Sequence, residues 1–372
     1  MKRVPTEREL RKQPDFAIFF AVLILAGFGL VMVFSASYIT SLESRGDAFF
    51  FLRRQAFWIL VGFMGMFFTS GISYWKWRKL APALLILNFL LLLMVFIPGL
   101  GIKVNEARRW IGVGGFQIQP AEFTKMALII FSAAFLSKKS IRMDNFWNSS
   151  FIPLFVTGLS FLLILGQPDL GTGLAIVAVV GMIIFAAGIP FKQLFYLAIT
   201  SFPVILYLAL SEDYRMKRIF SFLDPWADPL DTGYHIIQSL YALGPGGLFG
   251  VGLGRSRQKL YYLPEPQNDF IFAIIGEELG FLGAVTIMLL FFILFWRGFK
   301  TSLMAPDTFG SLLAAGITGM ITIQALINIG VVTGSIPVTG INLPFISAGG
   351  SSIFFSMCLI GILMNISRYI RS

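Results

Sequence analysis

Long apolar runs separated by short polar links recur along the whole chain. They begin near Phe16, Phe57, Leu80, Pro120, Phe151, Leu170, Leu194, Phe270, Thr308 and Ser351. A helix that crosses a bilayer needs about 20 predominantly apolar residues, within a range of about 17 to 25. The runs meet or approach that length, so the pattern predicts an all-α polytopic membrane protein with about ten transmembrane helices. Residues 211–268 are the one long hydrophilic stretch, a large loop between helices 7 and 8 inside a single integral membrane domain spanning 1–372. Long loops are more often functional or disordered than filler. The apolar positions Ile236, Ile237, Leu240 and Tyr241 within it suit a short interfacial helix.

Composition agrees. At 56% hydrophobic and 13% charged residues, with a mean hydropathy of +0.80, the chain carries more apolar surface than a soluble core could bury. Forty Phe and seven Trp fit lipid-facing and interfacial positions. The single cysteine, Cys358, excludes an intramolecular disulfide and reads as packing within an apolar run. The first run lacks a small-residue cleavage site after it and reads as a retained helix, not a signal peptide.

Charge gives the orientation. Lys2, Arg3, Arg8, Arg11, Lys12, Lys76, Arg78, Lys79, Lys138, Lys139, Arg142, Lys192, Arg297, Lys300, Arg368 and Arg371 fall on the side of the N-terminus, whereas the short links on the other side hold only Arg45, Arg53, Arg54, Lys103, Arg108 and Arg109. By the positive-inside rule both termini are cytoplasmic and the large loop is extracytoplasmic. The net charge of +10 then reflects loops facing anionic lipid, with no nucleic-acid partner implied.

Four segments on the outer side carry the chemistry. Pro264 to Gly280 places Asp269 at the entry to a span and Glu277 and Glu278 about two turns deeper, roughly 12 Å along a helix axis. An ionisable group at bilayer depth costs roughly 2.5 to 3.5 kcal/mol, which marks such carboxylates as functional candidates. Asp269 can meet a substrate at headgroup level or serve as an N-cap. The two glutamates suit a polar cluster with Gln324 and Asn328 inside the bundle. Arg108 and Arg109 precede Gln119-Pro120-Ala121-Glu122-Phe123-Thr124-Lys125, where Pro120 suits the first helical position and Glu122 and Lys125 share a face. The pair reads either as a structural ion pair or as the lining of a substrate cavity, and the arginines suit a phosphate.

Asp169, in Gln167-Pro168-Asp169-Leu170-Gly171-Thr172, reads equally as a helix cap or a substrate contact. The large loop supplies Arg215, Arg218, a Gly-rich part from Gly244 to Gly254 that permits close backbone approach to a ligand, and His235, which reads as a solvated loop histidine before a catalytic one. A lone histidine makes no zinc site with the usual ligands. No nucleotide-binding or metal-binding motif occurs, which leaves a nucleotide-driven pump unsupported.

In this order, Ala107-Arg108-Arg109-Trp110, residues 119–125, residues 167–172, Tyr234-His235-Ile236-Ile237-Gln238-Ser239 and Asp269 to Gly280 resemble the SEDS family (shape, elongation, division and sporulation), across essentially the whole chain. The spacing around Gly244 and Pro264 and the short tails look closer to its FtsW and SpoVE members than to RodA. The segment Gly334 to Ser352 also matches, with one departure: Ala348 stands where the family has a tyrosine.

The resemblance implies a peptidoglycan glycosyltransferase that polymerises lipid II on the outer face of the cytoplasmic membrane, in division or spore-cortex synthesis, with a class B penicillin-binding protein as partner. Asp269 would be the catalytic base. Arg108, Arg109, Glu122, Lys125, Asp169, Arg215, Arg218, Gln238, Ser347 and Ser351 would bind substrate. No cofactor is fixed; a divalent cation, Mg or Mn, is left open. A lipid II flippase is the alternative, since intramembrane charges also suit a translocation path. A scaffold whose loop only docks a partner accounts poorly for the buried carboxylates.

Overall fold

The computed structural model describes residues 12–104, 107–113, 116–138, 141, 144–260 and 262–370. Lys2, Arg3, Arg8, Arg11, Lys139, Arg142 and Arg371 of the orientation argument lie outside the described residues. Among the described residues thirteen α-helices run in order: α1 Phe16–Arg45, α2 Phe50–Gly71, α3 Tyr74–Met94, α4 Pro120–Leu136, α5 Phe146–Ser149, α6 Phe151–Leu165, α7 Leu170–Ala186, α8 Phe191–Leu210, α9 Asp213–Leu223, α10 Tyr234–Leu243, α11 Ile271–Met304, α12 Thr308–Val332 and α13 Gly350–Ser367. The ten apolar runs correspond to α1–α4, α6–α8 and α11–α13.

Seven of these helices have the length and composition to cross a membrane, and the chain is a multi-pass membrane protein. The other three, α4, α6 and α7, have 17, 15 and 17 residues. At 1.5 Å per residue they span about 22 to 26 Å, less than the roughly 30 Å hydrocarbon core. All but two residues of α4 are buried, against α3, α7 and α12. Helices α2 and α3 start earlier than the apolar pattern suggests. Their first two turns hold Arg53 and Arg54, and Lys76, Arg78 and Lys79, because a helix continues past the hydrocarbon boundary with its charges in the headgroup layer.

Both ends of the described chain meet at one end of the bundle. The Lys12 N–H donates to the Arg368 carbonyl at 2.8 Å and the Asp15 N–H to Ser367 Oγ at 3.0 Å. Asp15 also caps α1 and accepts from Arg297 Nε at 2.6 Å. Asn365 of α13 joins α2 to α3 there, accepting the Tyr74 N–H and donating to the Ser70 carbonyl, each at 2.8 Å.

The opposite end departs from the all-helical expectation. Gly101–Val104, Ala107–Val113 and Phe116–Ile118 form an antiparallel sheet, β1-β2-β3, with Lys103 opposite Arg108 and Gly112 opposite Gln117. In the large loop, α10 turns Ile236 and Ile237 onto α11 and α12, and Ser239 Oγ donates to the Val332 carbonyl at 2.7 Å. α8 stands apart, with no buried residue and its main packing on α9.

Helix α11 is two helices. Gly280 has φ 67° and ψ −164°, a conformation essentially restricted to glycine. The backbone groups freed by this break are taken up by the Gly-rich link after α10. Phe281 and Leu282 donate to the Gly247 and Leu248 carbonyls at 2.8 and 3.1 Å, while Val251 and Gly252 donate to the Glu277 and Glu278 carbonyls at 2.9 and 3.1 Å. At Gly250 a Cβ would strike this backbone. The glycines expected to approach a ligand therefore approach α11 instead.

Candidate active site

Asp269 lies at the end of the bundle opposite the termini, just before α11, and its main chain is braced from several sides. Asn328 of α12 donates from Nδ2 to the Asp269 and Ile341 carbonyls, both at 2.8 Å. Ser347 donates to the Asn268 carbonyl at 2.7 Å and accepts the Leu343 N–H at 2.8 Å. The Ala348 N–H donates to the Gln267 carbonyl at 2.9 Å, a role that needs no tyrosine ring.

Among the described residues the carboxyl itself accepts no hydrogen bond. The cap position of α11 is Phe270 and has no side-chain capping bond, so Asp269 is not an N-cap. The side chain is half-buried, and burial raises its pKa from the ordinary carboxylate value to about 6. Glu265 adds to the rise and Asp169 adds less, while Arg218 and Arg109 oppose it. Asp269 Oδ2 borders Gly340, where a Cβ would stand 3.5 Å away and where φ is +74°.

A polar network connects these neighbours. Arg109 donates from Nε to the Gln167 carbonyl at 3.0 Å and from Nη2 to the Pro168 carbonyl, which ties β2 to the α6–α7 turn. Asp169 caps α7 by accepting the Thr172 N–H at 3.2 Å, and its second oxygen accepts from Gln119 Nε2 at 3.2 Å. The Gln119 N–H in turn donates to Ser351 Oγ at 3.3 Å. The structure thus gathers Asp269, Arg109, Asp169, Arg218, Ser347 and Ser351, which the sequence singles out. It adds Glu265, Gln119 and His235. Glu265 stands four residues before Asp269 with a φ of 44°, rare for a non-glycine residue, and its carboxylate accepts from Asn268 Nδ2 at 2.8 Å.

Other expectations are corrected. Arg108 and Arg109 flank the register shift between β1 and β2 and are used differently: Arg109 turns to the Gln167 and Pro168 carbonyls, whereas Arg108 is exposed. Arg215 is buried against the end of α8, donating to the Leu208 carbonyl at 2.8 Å and to Tyr214 Oη at 2.9 Å. Glu277 and Glu278 do not bond Gln324 or Asn328. Glu277 accepts from the Arg257 N–H at 2.8 Å and from Ser256 Oγ, whereas Glu278 pairs with Lys259 Nζ at 2.9 Å and accepts from Ser35 Oγ at 2.7 Å.

Gln324 instead borders the ion pair of Glu122 and Lys125. That pair is buried, with Lys125 Nζ 2.5 Å from Glu122 Oε2, beside a crevice too narrow for water. This geometry fits a structural pair better than an open cavity. His235 is not a solvated loop residue. Its ring stacks on Phe270 with centroids 5.8 Å apart and planes at 9°, and burial, then Arg218, lowers its pKa against an opposing effect of Glu265. Gln238 lies half-buried on α10, one turn beyond His235.

Among the described residues no group of three His, Cys, Asp or Glu side chains could hold a metal. Magnesium is commonly held by one or two carboxylates together with substrate phosphates.

The family model for the cell cycle proteins FtsW, RodA and SpoVE matches residues 16–372. Stage V sporulation protein E of Bacillus subtilis (strain 168) is 50% identical over 362 residues, covering 97% of this chain and 99% of that protein. The probable peptidoglycan glycosyltransferase FtsW of Geobacter sp. (strain M18) is 43% identical over 357 residues, covering 96% and 97%. Among solved structures, a chain of a peptidoglycan synthase complex that coordinates polymerization and crosslinking superposes with a TM-score of 0.77 at 28% identity, covering 95% of this chain and 98% of that one. The rod shape determining protein RodA of Thermus thermophilus gives a TM-score of 0.70 at 28% identity, covering 96% and 98%. The chain therefore belongs to the FtsW/RodA/SpoVE family of cell cycle proteins.

Proposed function

We propose that this chain is a peptidoglycan glycosyltransferase that polymerises lipid II, with Asp269 as general base. The observation that carries the reading is the Asp269 carboxyl. It is fixed by its main chain, free of hydrogen bonds among the described residues, raised to about 6, and flanked by Arg109 and Arg218. A base is most effective when its pKa lies near the working pH.

The reaction is a single inverting displacement. Asp269 takes the proton of the acceptor GlcNAc 4-hydroxyl as that oxygen bonds to the donor MurNAc anomeric carbon. The bond from that carbon to the pyrophosphate breaks, and its electron pair leaves with undecaprenyl pyrophosphate. Arg109 and Arg218 offset the charge that grows on the leaving group.

The basic residues near the termini support cytoplasmic chain ends and an active face outside the cytoplasm. A class B penicillin-binding protein is the proposed partner, since a structural neighbour works in a complex that joins polymerization to crosslinking. The test supplies purified lipid II to the purified chain, alone and with that partner. Glycan strands support the reading. Movement of lipid II between leaflets without any strand formation in either condition would make the chain a flippase.

A further inference from the structure

One motif of the large loop has no part in the proposed reaction. The link that docks on the α11 break borders an open cavity of about 620 Å³. Tyr241 and Val251 give it an apolar side, while Arg255, Arg257, Gln258 and Glu277 give it a polar one. Pockets of about 300 to 1,000 Å³ with few polar groups on an apolar lining are the usual form of small-ligand sites.

Its charges are unequally used. Both oxygens of Glu277 are engaged, by the Arg257 N–H and the Ser256 hydroxyl. Arg255 and Arg257 are exposed, and among the described residues neither guanidinium forms an ion pair or hydrogen bond. Gln258 Oε1 is enclosed and, among the described residues, has no donor. A ligand that fits offers an anion to two guanidinia, a hydroxyl to one amide oxygen, and hydrocarbon to Tyr241 and Val251.

Depth narrows the source. Arg297 pairs with Asp15 at the terminal end of the bundle, and Glu277 lies some twenty residues back along α11, just past the break. At 1.5 Å per residue that separation is about 30 Å, the thickness of the hydrocarbon core. The cavity therefore opens at headgroup height in the far leaflet.

We propose that it binds the headgroup of an anionic phospholipid with hydroxyl groups, of the phosphatidylglycerol class. The phosphodiester sits between Arg255 and Arg257, and a glycerol hydroxyl donates to Gln258 Oε1. The start of the acyl chains lies against Tyr241 and Val251. Because the same link holds the outer half of α11, a bound lipid steadies the segment that carries Asp269.

The test measures binding of fluorescent phosphatidylglycerol to the full-length, delipidated protein in detergent. Wild type is compared with Arg255→Gln/Arg257→Gln and with Val251→Trp, which fills the cavity without changing charge. Each variant is first shown to be monodisperse with wild-type thermal unfolding. Losing two charge-assisted bonds predicts an affinity lower by roughly tenfold or more. Val251→Trp is expected to match that loss, and Asp269→Asn to bind like wild type. Unlabelled phosphatidylglycerol should displace the probe better than phosphatidylcholine, inorganic phosphate or undecaprenyl phosphate. Unchanged affinity in the charge and cavity variants overturns the proposal, and so does better displacement by either of the last two competitors.

Discussion

The side-chain amide of Asn328 holds the carbonyl of Asp269 and that of Ile341 with one nitrogen, each at 2.8 Å, and thereby fixes the catalytic candidate without touching its carboxyl. Asn328 is a positioning residue by this geometry. Asn328→Leu removes the donor from the buried Ile341 carbonyl, at a cost of roughly 1 to 3 kcal/mol, and from the partly buried Asp269 carbonyl. The expected outcome is a lower unfolding temperature and a fall in kcat for polymerisation with lipid II affinity retained. Thermal unfolding, turnover and lipid II binding on the same preparations check it.

The raised pKa of Asp269 gives a pH dependence with a definite sign. A base is active when deprotonated, so kcat/KM should fall below about pH 6 by about tenfold per unit. Stability runs the other way. The folded state holds this proton up to about pH 6, the unfolded state only to about 3.8. The stability this group contributes is full below about 3.8 and is lost as pH rises through about 6. A pH–rate profile and unfolding between pH 4 and 8, compared with Asp269→Asn for the stability arm, measure both.

Arg109 and Arg108 should differ sharply despite being neighbours. Arg109→Ala removes a cation from the Asp269 neighbourhood and two bonds to the α6–α7 turn, and kcat/KM should drop roughly 10- to 100-fold. Arg108 is exposed, so Arg108→Ala should alter stability by no more than about 0.5 kcal/mol and leave turnover near wild type. Steady-state kinetics of the two variants decide the matter.

The buried pair of Lys259 and Glu278 closes the link onto α11. Removing one partner of a buried pair typically costs about 3 to 5 kcal/mol, because the other charge stays buried and uncompensated. Lys259→Met should therefore destabilise strongly, and Lys259→Met/Glu278→Gln should recover part of the loss. Thermal unfolding of the single and double variants tests this coupling.

The length of the apolar runs was enough for the helices, since ten runs become ten helices in the same order, seven of them long enough to cross a membrane, and the cost of a carboxylate at a membrane boundary was enough to single out Asp269. Pairing across the chain was not. Ser35, Ser256 and Lys259 meet Glu277 and Glu278 only because Gly280 breaks α11 and lets the link dock, and no local pattern encodes that meeting. Strands as short as Phe116–Ile118 carry too few alternating positions to be legible. Arg215 resembled an anion-binding cation, but the helix end in front of it offers carbonyls that it satisfies. Glu265 lies within the segment Pro264 to Gly280, and its place four residues before Asp269 is the one sequence signal that could have found it. His235 depended on the docking of α10 against Phe270.

The central claim is that the Asp269 carboxyl removes the acceptor proton. Its most direct measurement is the rate of glycan-strand formation from saturating lipid II by wild type and by Asp269→Asn, with folding and lipid II binding verified for both. General-base help contributes about 10² to 10⁴ in rate, so the variant should lose at least about a hundredfold while still binding lipid II. Strand formation at the wild-type rate by the folded variant would contradict the assignment.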